Sequence, residues 1–499
     1  MRFDIITGTF EDTDRDPTKL AVIGSDRALT WNDLRAEVRE WTTRLISIGL
    51  PPGHPVLVHG HKRAEMVAAM LACIALDHPY IPLDMVVPLE RIERIRALTG
   101  SQVLLNCTGA IAEVSAPIVL EEAQVVKRTP CTFGSDVIAR PHDPIRYIIF
   151  TSGSTGEPKG VQITREAAAS FLRWMTEDFG FTSSDVFVNQ APFSFDLSVY
   201  ELFTALHSGA TLLLNDAATC KDSALFLDRV RRFAGSVWVS TPTFAYLYLT
   251  EPRFVAEELP SLRSFLFCGE ALPKMTAQRL LDRFPSSRVL NTYGPTEATV
   301  ATTLIDVTRD VLARYPDMPV GFPKPEGTVR TVPKGTKDEP GEIEILGPHV
   351  SIGYFKNAAH NAEKFFVEDG MRGFRTGDYG YFLDGILFFN GRRDEQVKLN
   401  GFRIELGDIT AQMLAVPGVA DAIAVPLKTG DTVKRIVGFI RPGGAVAEGE
   451  LRAEVLAHLK RYLPEYMVPG DIAFVDAFPV NASHKTDRKA LIDLYMKRR

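Results

Sequence analysis

Residues 147–160 read YIIFTSGSTGEPKG, and this stretch indicates more about the fold than any other in the chain. Residues 147–150 are apolar and either aromatic or β-branched, which predicts a buried strand. Residues 151–156 are small hydroxylated residues and glycines, so backbone N–H groups can close around phosphate oxygens. Lys159 adds a positive charge beyond the bend. A flexible surface loop is the alternative, but the strand before the loop and the lysine after it favour phosphate.

The composition is that of an ordinary globular protein, with 45% hydrophobic and 24% charged residues. A length of 499 residues suggests about three domains and leaves ample chain for a large core. The 56 basic and 62 acidic residues give a net charge of -6. Because no basic excess is available to neutralise a phosphate backbone, nucleic acid is not expected as a partner.

Cysteine usage and the N-terminus indicate a cytoplasmic protein without membrane insertion. The five cysteines are odd in number and form no CxxC, so neither a disulfide framework nor a zinc site is expected. The first residues lack the basic-then-apolar pattern of a signal peptide. No apolar run approaches the roughly 20 residues that are needed to span a bilayer.

Up to about residue 320, predicted helices and strands alternate, which predicts an α/β fold with a mainly parallel sheet. Asn32 is predicted to cap a helix that carries Leu34, Val38 and Trp41 on one face. Predicted strands run directly into residues 268–270 and 291–297. Loops at the carboxyl ends of strands are where open α/β sheets bind ligands, so these loops are candidate site elements.

One carboxylate, Asp196, lies in an aromatic stretch that reads FSFDLS. An unpaired carboxylate is costly to bury, so a cationic partner is expected. The alternative is an aspartate at a turn or at a helix cap.

Residues 321–390 alternate polar and apolar residues between frequent turns, which predicts a small antiparallel β-barrel-like subdomain. It contains Asp378, in an FRTGD turn whose carboxylate could accept from ribose hydroxyls or simply stabilise the turn. The charge run at 391–396 is typical of an exposed linker, so the last boundary is placed there. We therefore expect a large N-terminal domain, 1–393, and a small C-terminal α+β domain, 394–499. A lone Lys485 in the polar loop near its end would ordinarily face solvent.

Taken together and in order, the motifs resemble those of the adenylate-forming superfamily, which includes peptide synthetase adenylation domains, acyl-CoA synthetases and luciferases. The resemblance covers nearly the whole chain, and within the superfamily it is greatest to free-standing D-alanine–carrier protein ligases. The motifs are TSGSTGEPKG, FSFDLS, NTYGPTEATV, FRTGDYGYF, GRRDEQVKLNGFRIEL, LPEYMVP and HKTDRKAL.

The resemblance implies that ATP and Mg²⁺ bind to the large domain. Glu297 would ligate Mg²⁺, Tyr293 would lie against adenine, and Asp378 would hold the ribose with Arg392 nearby. The residues that would contact ATP are Thr151, Ser152, Gly153, Ser154, Thr155, Gly156, Lys159, Gly269, Glu270, Asn291, Tyr293, Gly294, Thr296, Asp378 and Arg392.

The resemblance also implies a substrate that is a small amino acid, with its ammonium paired to Asp196. Most residues of the implied side-chain pocket are apolar: Leu197, Tyr200, Val239, Leu266, Cys268, Thr292, Val300 and Ala301. D-alanine is favoured, but L-alanine, 2-aminobutyrate and valine remain open, because one methylene discriminates by only about 1–3 kcal/mol. Tyr200 departs from the methionine expected in D-alanine enzymes, and the lysine loop reads SHKTDR instead of the usual NGKVDR.

The implied reaction has two halves. Lys485 would bridge the substrate carboxylate and the α-phosphate during formation of aminoacyl-AMP. Rotation about a hinge at Asp394 would then bring a second face of the small domain, including Gly401, to the site for thiol attack. The thiol would be the phosphopantetheine arm of a carrier protein acting in trans, because no carrier follows the Lys485 segment.

Three other functions remain open. The first is a free-standing peptide synthetase adenylation enzyme for another small amino acid in natural-product biosynthesis. The second is an acyl-CoA ligase, against which Asp196 argues, because acyl-CoA and luciferase-type relatives lack an aspartate at this place. The third is a non-catalytic scaffold that only docks a carrier, against which Glu297, Asp378 and Lys485 argue.

Overall fold

The structure is a computed structural model, and it describes residues 1–12, 16–110, 114–131, 142–152, 157–393, 396–429, 432–444, 447–479 and 486–497. The chain divides into two compact units. The first consists of Met1–Met85, Arg96–Phe150 and Gly160–Arg393. The second consists of Val86–Ile95, Thr151–Lys159 and Asp394–Arg499.

A nine-stranded sheet provides most of the candidate site. Its six central strands are parallel and antiparallel strands complete both edges. In spatial order the strands are Phe322–Pro323, Thr303–Asp306, Arg288–Tyr293, Ser264–Phe267, Val237–Ser240, Val186–Asn189, Thr211–Leu214, Leu20–Ile23 and Ala28–Thr30.

A seven-stranded sheet lies in the N-terminal part of the chain, and its five inner strands are parallel. In spatial order the strands are Lys159–Thr164, Ile145–Thr151, Tyr80–Leu83, Val56–Gly60, Val103–Cys107, Ile118–Glu121 and Gln124–Arg128. One buried hydrophobic cluster takes residues from both large sheets and from the helices between them. Helices Ala64–Ala75 and Leu197–Ser208 are buried almost all round, as expected for helices at the centre of such a core.

The predicted small β-subdomain is present as a five-stranded antiparallel sheet. Its strands are Thr328–Val332, Gly341–Leu346, Met371–Leu383, Phe365–Glu368 and Ile386–Arg392. The charge run at its end is not simply an exposed linker, because Arg392 belongs to the last strand and pairs with buried Asp378. A two-stranded sheet, Arg2–Asp4 with Thr9–Glu11, lies at the N-terminus.

Ten further helices or helical turns of the described chain connect these strands. They are Trp31–Ser47, Leu89–Thr99, Arg165–Glu177, Ala217–Lys221, Ser223–Arg232, Pro242–Tyr248, Lys274–Arg283, Thr296–Ala298, Arg309–Arg314 and Ala358–Lys364. In the ranges that the structure describes, no helix combines the length and the apolar character needed to cross a membrane.

The C-terminal part of the second unit is an α+β structure. It contains the hairpin Gln396–Leu399 and Phe402–Glu405 and a sheet of Val419–Thr429, Thr432–Pro442 and Asp471–Phe474. Its helices are Leu406–Leu414, Glu448–Tyr462, Glu465–Met467 and Arg488–Lys497. The predicted fold class, an α/β protein with a β-subdomain and a small α+β part, is confirmed.

The prediction that Asn32 caps the first helix is wrong. Helix Trp31–Ser47 begins two residues earlier than predicted, with Thr30 as its cap. The Thr30 hydroxyl accepts the Asp33 N–H at 3.2 Å, and the Asp33 carboxylate accepts the Thr30 N–H at 2.9 Å. This reciprocal capping box satisfies two backbone donors at once, which a lone Asn32 would not do.

Candidate functional site

The strand before the candidate phosphate loop is present, as Ile145–Thr151. Ser152 follows it, whereas residues 153–156 lie outside the described residues. Within the second unit, the Ser152 hydroxyl donates to the Arg403 carbonyl at 3.1 Å and accepts the Glu405 N–H at 3.0 Å. A phosphate oxygen would therefore have to exchange with these backbone bonds to use this hydroxyl.

The lysines of the predicted site are only partly described. Lys159 begins the strand Lys159–Thr164 and is 8% exposed. The Thr151 hydroxyl donates to the Lys159 carbonyl at 3.5 Å and ties the two sides of the loop together. Lys485 and the hinge residue Asp394 lie outside the described residues, so their roles remain predictions from sequence.

Asp196 lies at the N-terminal end of helix Leu197–Ser208 and is partly buried. In the described part of the chain its carboxylate makes no capping hydrogen bond to that helix. Burial raises the pKa of Tyr147 and Tyr200 well above the ordinary value, and the negative charge of Asp196 adds to both shifts. The carboxylate is thus close enough to two buried, neutral phenols to act on them electrostatically.

The predicted pocket residues lie together in the first unit. Val239 and Leu266 are register partners on adjacent parallel strands. The Tyr200 hydroxyl donates to Thr292 Oγ1 at 2.8 Å, and Thr292 in turn donates to the Phe267 carbonyl at 2.7 Å. The pocket members that belong to the large buried cluster are Leu197, Tyr200, Val239, Leu266, Cys268, Val300 and Ala301.

The loop after strand Arg288–Tyr293 folds tightly back on itself and carries two of the predicted pocket residues, Val300 and Ala301. A Cβ added at Gly294 would lie 2.4 Å from the Ala301 Cα, so only glycine fits there. Val300 has a φ of +71°, and its carbonyl lies 3.7 Å from the Cys268 sulfur. The cysteine is 3% exposed, which is typical of a buried structural thiol.

Tyr293, Asp378 and Arg392 form a buried polar group across two sheets of the first unit. The Tyr293 hydroxyl donates to Asp378 Oδ2 at 2.6 Å, and Arg392 forms an ion pair with Asp378 Oδ1. Burial, then the Asp378 charge, raises the pKa of Tyr293 well above its ordinary value, so the phenol stays protonated and donates. Each carboxylate oxygen keeps a lone pair that a further hydroxyl could use.

We expect Tyr293→Phe to lower the free energy of unfolding by about 1.5–3 kcal/mol, because it removes a hydrogen bond to a buried charged group. The matched control is Tyr246→Phe, which changes a phenol on a residue that is 46% exposed. The midpoints of urea unfolding of the two variants measure the difference. Equal midpoints would contradict the energetic role of the Tyr293–Asp378 bond.

Glu297, the predicted Mg²⁺ ligand, is fully buried in the helical turn Thr296–Ala298. Its Oε1 accepts the Tyr354 hydroxyl at 2.6 Å, and its carbonyl accepts the Ser351 N–H at 2.8 Å. Among the described residues, no group of three or more His, Cys, Asp and Glu side chains could hold a metal. A single protein carboxylate is nevertheless enough for Mg²⁺, because this ion takes its other ligands from phosphates and water.

Four further residues are predicted ATP contacts, and their roles remain predictions. Asn291 is buried, and its amide donates to the Pro319 carbonyl at 2.8 Å. Glu270 accepts the Thr243 N–H at 3.2 Å, next to Gly269 with a φ of +90°. Thr296 is 7% exposed at the start of the helical turn.

The sequence reasoning missed residues that support the site from a distance. Tyr354, which holds Glu297, lies 57 residues further along the chain. Lys62 contacts the segment that leads to Asp196, and it lies 129 residues before its acceptor Ala191. Neither residue has a local sequence signal, because each is defined by a contact between distant parts of the chain.

Two family models match the chain. The model for AMP-binding enzymes matches residues 10–355, and the model for their C-terminal domain matches residues 409–485. The chain is 40% identical over 490 residues to a D-alanine–D-alanyl carrier protein ligase of Bacillus licheniformis, with 95% of this chain and 96% of that protein covered. It is 38% identical over 492 residues to the ligase of the same name from Bacillus cereus, with the same coverage.

A solved structure has a similar fold. It is the adenylation domain AlmE of Vibrio cholerae in complex with glycyl-adenosine-5′-phosphate. The TM-score is 0.80 and the match covers 98% of this chain and 99% of that chain. At 22% identity this likeness concerns the fold alone.

Proposed function

This chain belongs to the AMP-binding enzyme family, and from that premise we propose that it activates D-alanine with ATP and transfers it to a carrier protein. The observation that carries the proposal is the pair of full-length relatives at 40% and 38% identity, both named D-alanine–D-alanyl carrier protein ligase. The thiol acceptor is a phosphopantetheine arm on a separate carrier protein. The reaction is placed in the cytoplasm, where thiols such as the five free cysteines of this chain stay reduced.

In the first half-reaction a carboxylate oxygen of D-alanine attacks the α-phosphorus of ATP. The bond to the β-phosphate oxygen breaks, which releases pyrophosphate and leaves D-alanyl-AMP. In the second, the carrier thiol loses its proton and attacks the carbonyl carbon, and AMP leaves with the electron pair of the broken C–O bond. One product is then a thioester on the carrier.

The residue roles follow the motifs of the family. Asp196 pairs with the substrate ammonium, and the apolar pocket beyond it accepts a small side chain. Tyr293 lies against adenine, and Asp378 binds the ribose. Mg²⁺ at Glu297 supplies positive charge to the phosphate oxygens when bound.

The predicted domain division at 393/394 is part of the same proposal. The large domain binds the amino acid and ATP, and the small domain carries Lys485, which supplies a cation as the α-phosphate is attacked. Movement about Asp394 brings Gly401 to the site for thiol attack.

Pyrophosphate exchange driven by D-alanine, L-alanine, 2-aminobutyrate and valine tests the substrate. We expect kcat/KM for D-alanine to exceed those of the larger amino acids by about 10-fold or more, the usual value of one methylene in an apolar pocket. No exchange with D-alanine would contradict the proposal.

A second candidate is a free-standing adenylation enzyme for another small amino acid. The observation that favours it is Tyr200, which stands where methionine is expected and whose hydroxyl is fixed to Thr292 at 2.8 Å. Faster exchange with L-alanine, 2-aminobutyrate or valine than with D-alanine would select this candidate.

A further inference from the structure

Lys62 is a fully buried cation in the first unit, away from the predicted site residues in sequence. It lies two residues beyond the strand Val56–Gly60. Its ammonium donates to the Asn189 side-chain oxygen and to the Ala191 carbonyl. It also lies 4.4 Å from the centre of the Phe193 ring. All three partners precede Asp196 by seven residues or fewer.

Asn189 joins this lysine to the helix that follows Asp196. Its amide nitrogen donates to Glu201 Oε1 at 3.1 Å. Glu201 is fully buried on helix Leu197–Ser208, which also carries Leu197 and Tyr200 of the pocket. No donor among the described residues reaches the other oxygen of Glu201.

Backbone hydrogen bonds fold the segment between these anchors into tight turns. The Phe195 N–H donates to the Pro192 carbonyl at 2.9 Å, and the Ser198 N–H donates to the Phe195 carbonyl at 3.0 Å. The Val199 N–H donates to the Asp196 carbonyl at 2.9 Å. Asp196 lies within these turns, and a displacement at Ala191, the neighbour of Pro192, is therefore expected to move it.

Burial of this group is unfavourable for both charges. It lowers the pKa of Lys62 to about 8 and raises the pKa of Glu201 to about 8. A methionine would fill a similar volume without the cost of desolvating a cation. It could not, however, bind the Asn189 and Ala191 oxygens, and these bonds fix the segment before Asp196.

We propose that Lys62 is a positioning residue for the amino-acid site, which holds the Asp196 carboxylate and the first turn of helix Leu197–Ser208 in register with the pocket. This inference rests on the proposed function, since it requires Asp196 to bind the substrate ammonium. Lys62 is a positioning residue and not a catalytic one, because its contacts are to Asn189, Ala191 and Phe193.

The test is the Lys62→Met variant, assayed by pyrophosphate exchange with D-alanine and ATP varied in turn. We expect KM for D-alanine to rise about tenfold and KM for ATP to change less than about twofold, because the lost contacts support only the amino-acid side. A fall in kcat with both KM values unchanged, or an equal rise in both, would overturn the proposal.

Lys324→Met is the matched control, because Lys324 is also buried, donates to the Ser170 hydroxyl and lies 5.8 Å from the Trp174 ring centre. A selective rise in KM for D-alanine in this variant too would overturn the proposal in favour of general loosening of the core.

Phe193→Leu keeps the hydrogen bonds of Lys62 and removes only the aromatic ring next to its ammonium. This variant replaces Lys62→Met in the test if Lys62→Met does not fold. We expect a rise in KM for D-alanine of about threefold. No selective rise would overturn the proposal.

All constants are measured with the amino acid that the unchanged protein activates best. If the unchanged protein activates another amino acid better than D-alanine, only the proposed substrate fails, and KM is measured for that amino acid. If the unchanged protein activates no amino acid, both proposals fail. Failure of the Lys62 inference is seen only in the variants.

Discussion

Asp196→Ala is expected to reduce kcat/KM for D-alanine by a factor of about 30 to 4,000, while KM for ATP stays within about twofold. The range corresponds to about 2–5 kcal/mol, the usual effect of removing one partner of a buried, hydrogen-bonded charge pair. Asp196 is partly buried beside the neutral phenols of Tyr147 and Tyr200, so water would compensate the substrate ammonium poorly. Pyrophosphate exchange with each substrate varied in turn measures both constants.

Asp222→Ala is the matched control for this prediction. Asp222 is the cap of the next long helix, Ser223–Arg232, and its carboxylate accepts the Leu225 N–H at 3.0 Å. Asp222→Ala is expected to lower the free energy of unfolding by about 1 kcal/mol without a selective change in KM for D-alanine. Asp196 makes no such capping bond to its own described helix.

The opposite outcome would identify a different substrate class. If the unchanged protein uses no amino acid, and Asp196→Ala activates a carboxylic acid such as propionate strongly, the aspartate is not an ammonium partner. The acyl-CoA ligase alternative would then replace the amino-acid ligase.

The sequence predicted the family and the local elements well, and family membership is confirmed. Strand Ile145–Thr151, for example, is defined by consecutive apolar residues. Thr164 is likewise the cap of helix Arg165–Glu177, and its hydroxyl accepts the Ala167 N–H at 3.3 Å. These features depend on neighbours within a few residues, so a single sequence contains the information that fixes them. The error at Asn32 arose because Thr30 competes for the same helix end.

The polar contacts that organise the candidate site could not be predicted in this way. Tyr200 and Thr292 are 92 residues apart, and Lys62 and Asn189 are 127 residues apart. Such pairs depend on strand order in the nine-stranded sheet and on how its helices pack against the neighbouring sheet. Periodicity and turn chemistry determine neither. The motifs therefore predict which residues act, and the structure shows which contacts hold those residues in place.

Lys485→Ala is expected to slow the formation of D-alanyl-AMP by about 10²–10³-fold, the usual effect of removing one group that stabilises developing negative charge. The second half-reaction begins from the finished mixed anhydride and needs no cation at the departing pyrophosphate. Transfer from chemically prepared D-alanyl-AMP to the carrier should therefore change less than about threefold. The two rates are measured separately, by pyrophosphate exchange and by thioester formation on the carrier.

Lys489→Ala is the control for that variant, since Lys489 is an exposed lysine four residues further on, in helix Arg488–Lys497. It should leave both half-reactions unchanged. If Lys485→Ala slowed both by the same factor, the lysine would act on binding or folding instead of on the first step. If Lys485→Ala slowed neither half-reaction, another residue would supply the cation, in keeping with the unusual sequence of this loop. Selective loss of the first step is the expected result for a lysine at the α-phosphate, because only the first of the two reactions attacks the α-phosphorus; the second attacks the carbonyl carbon.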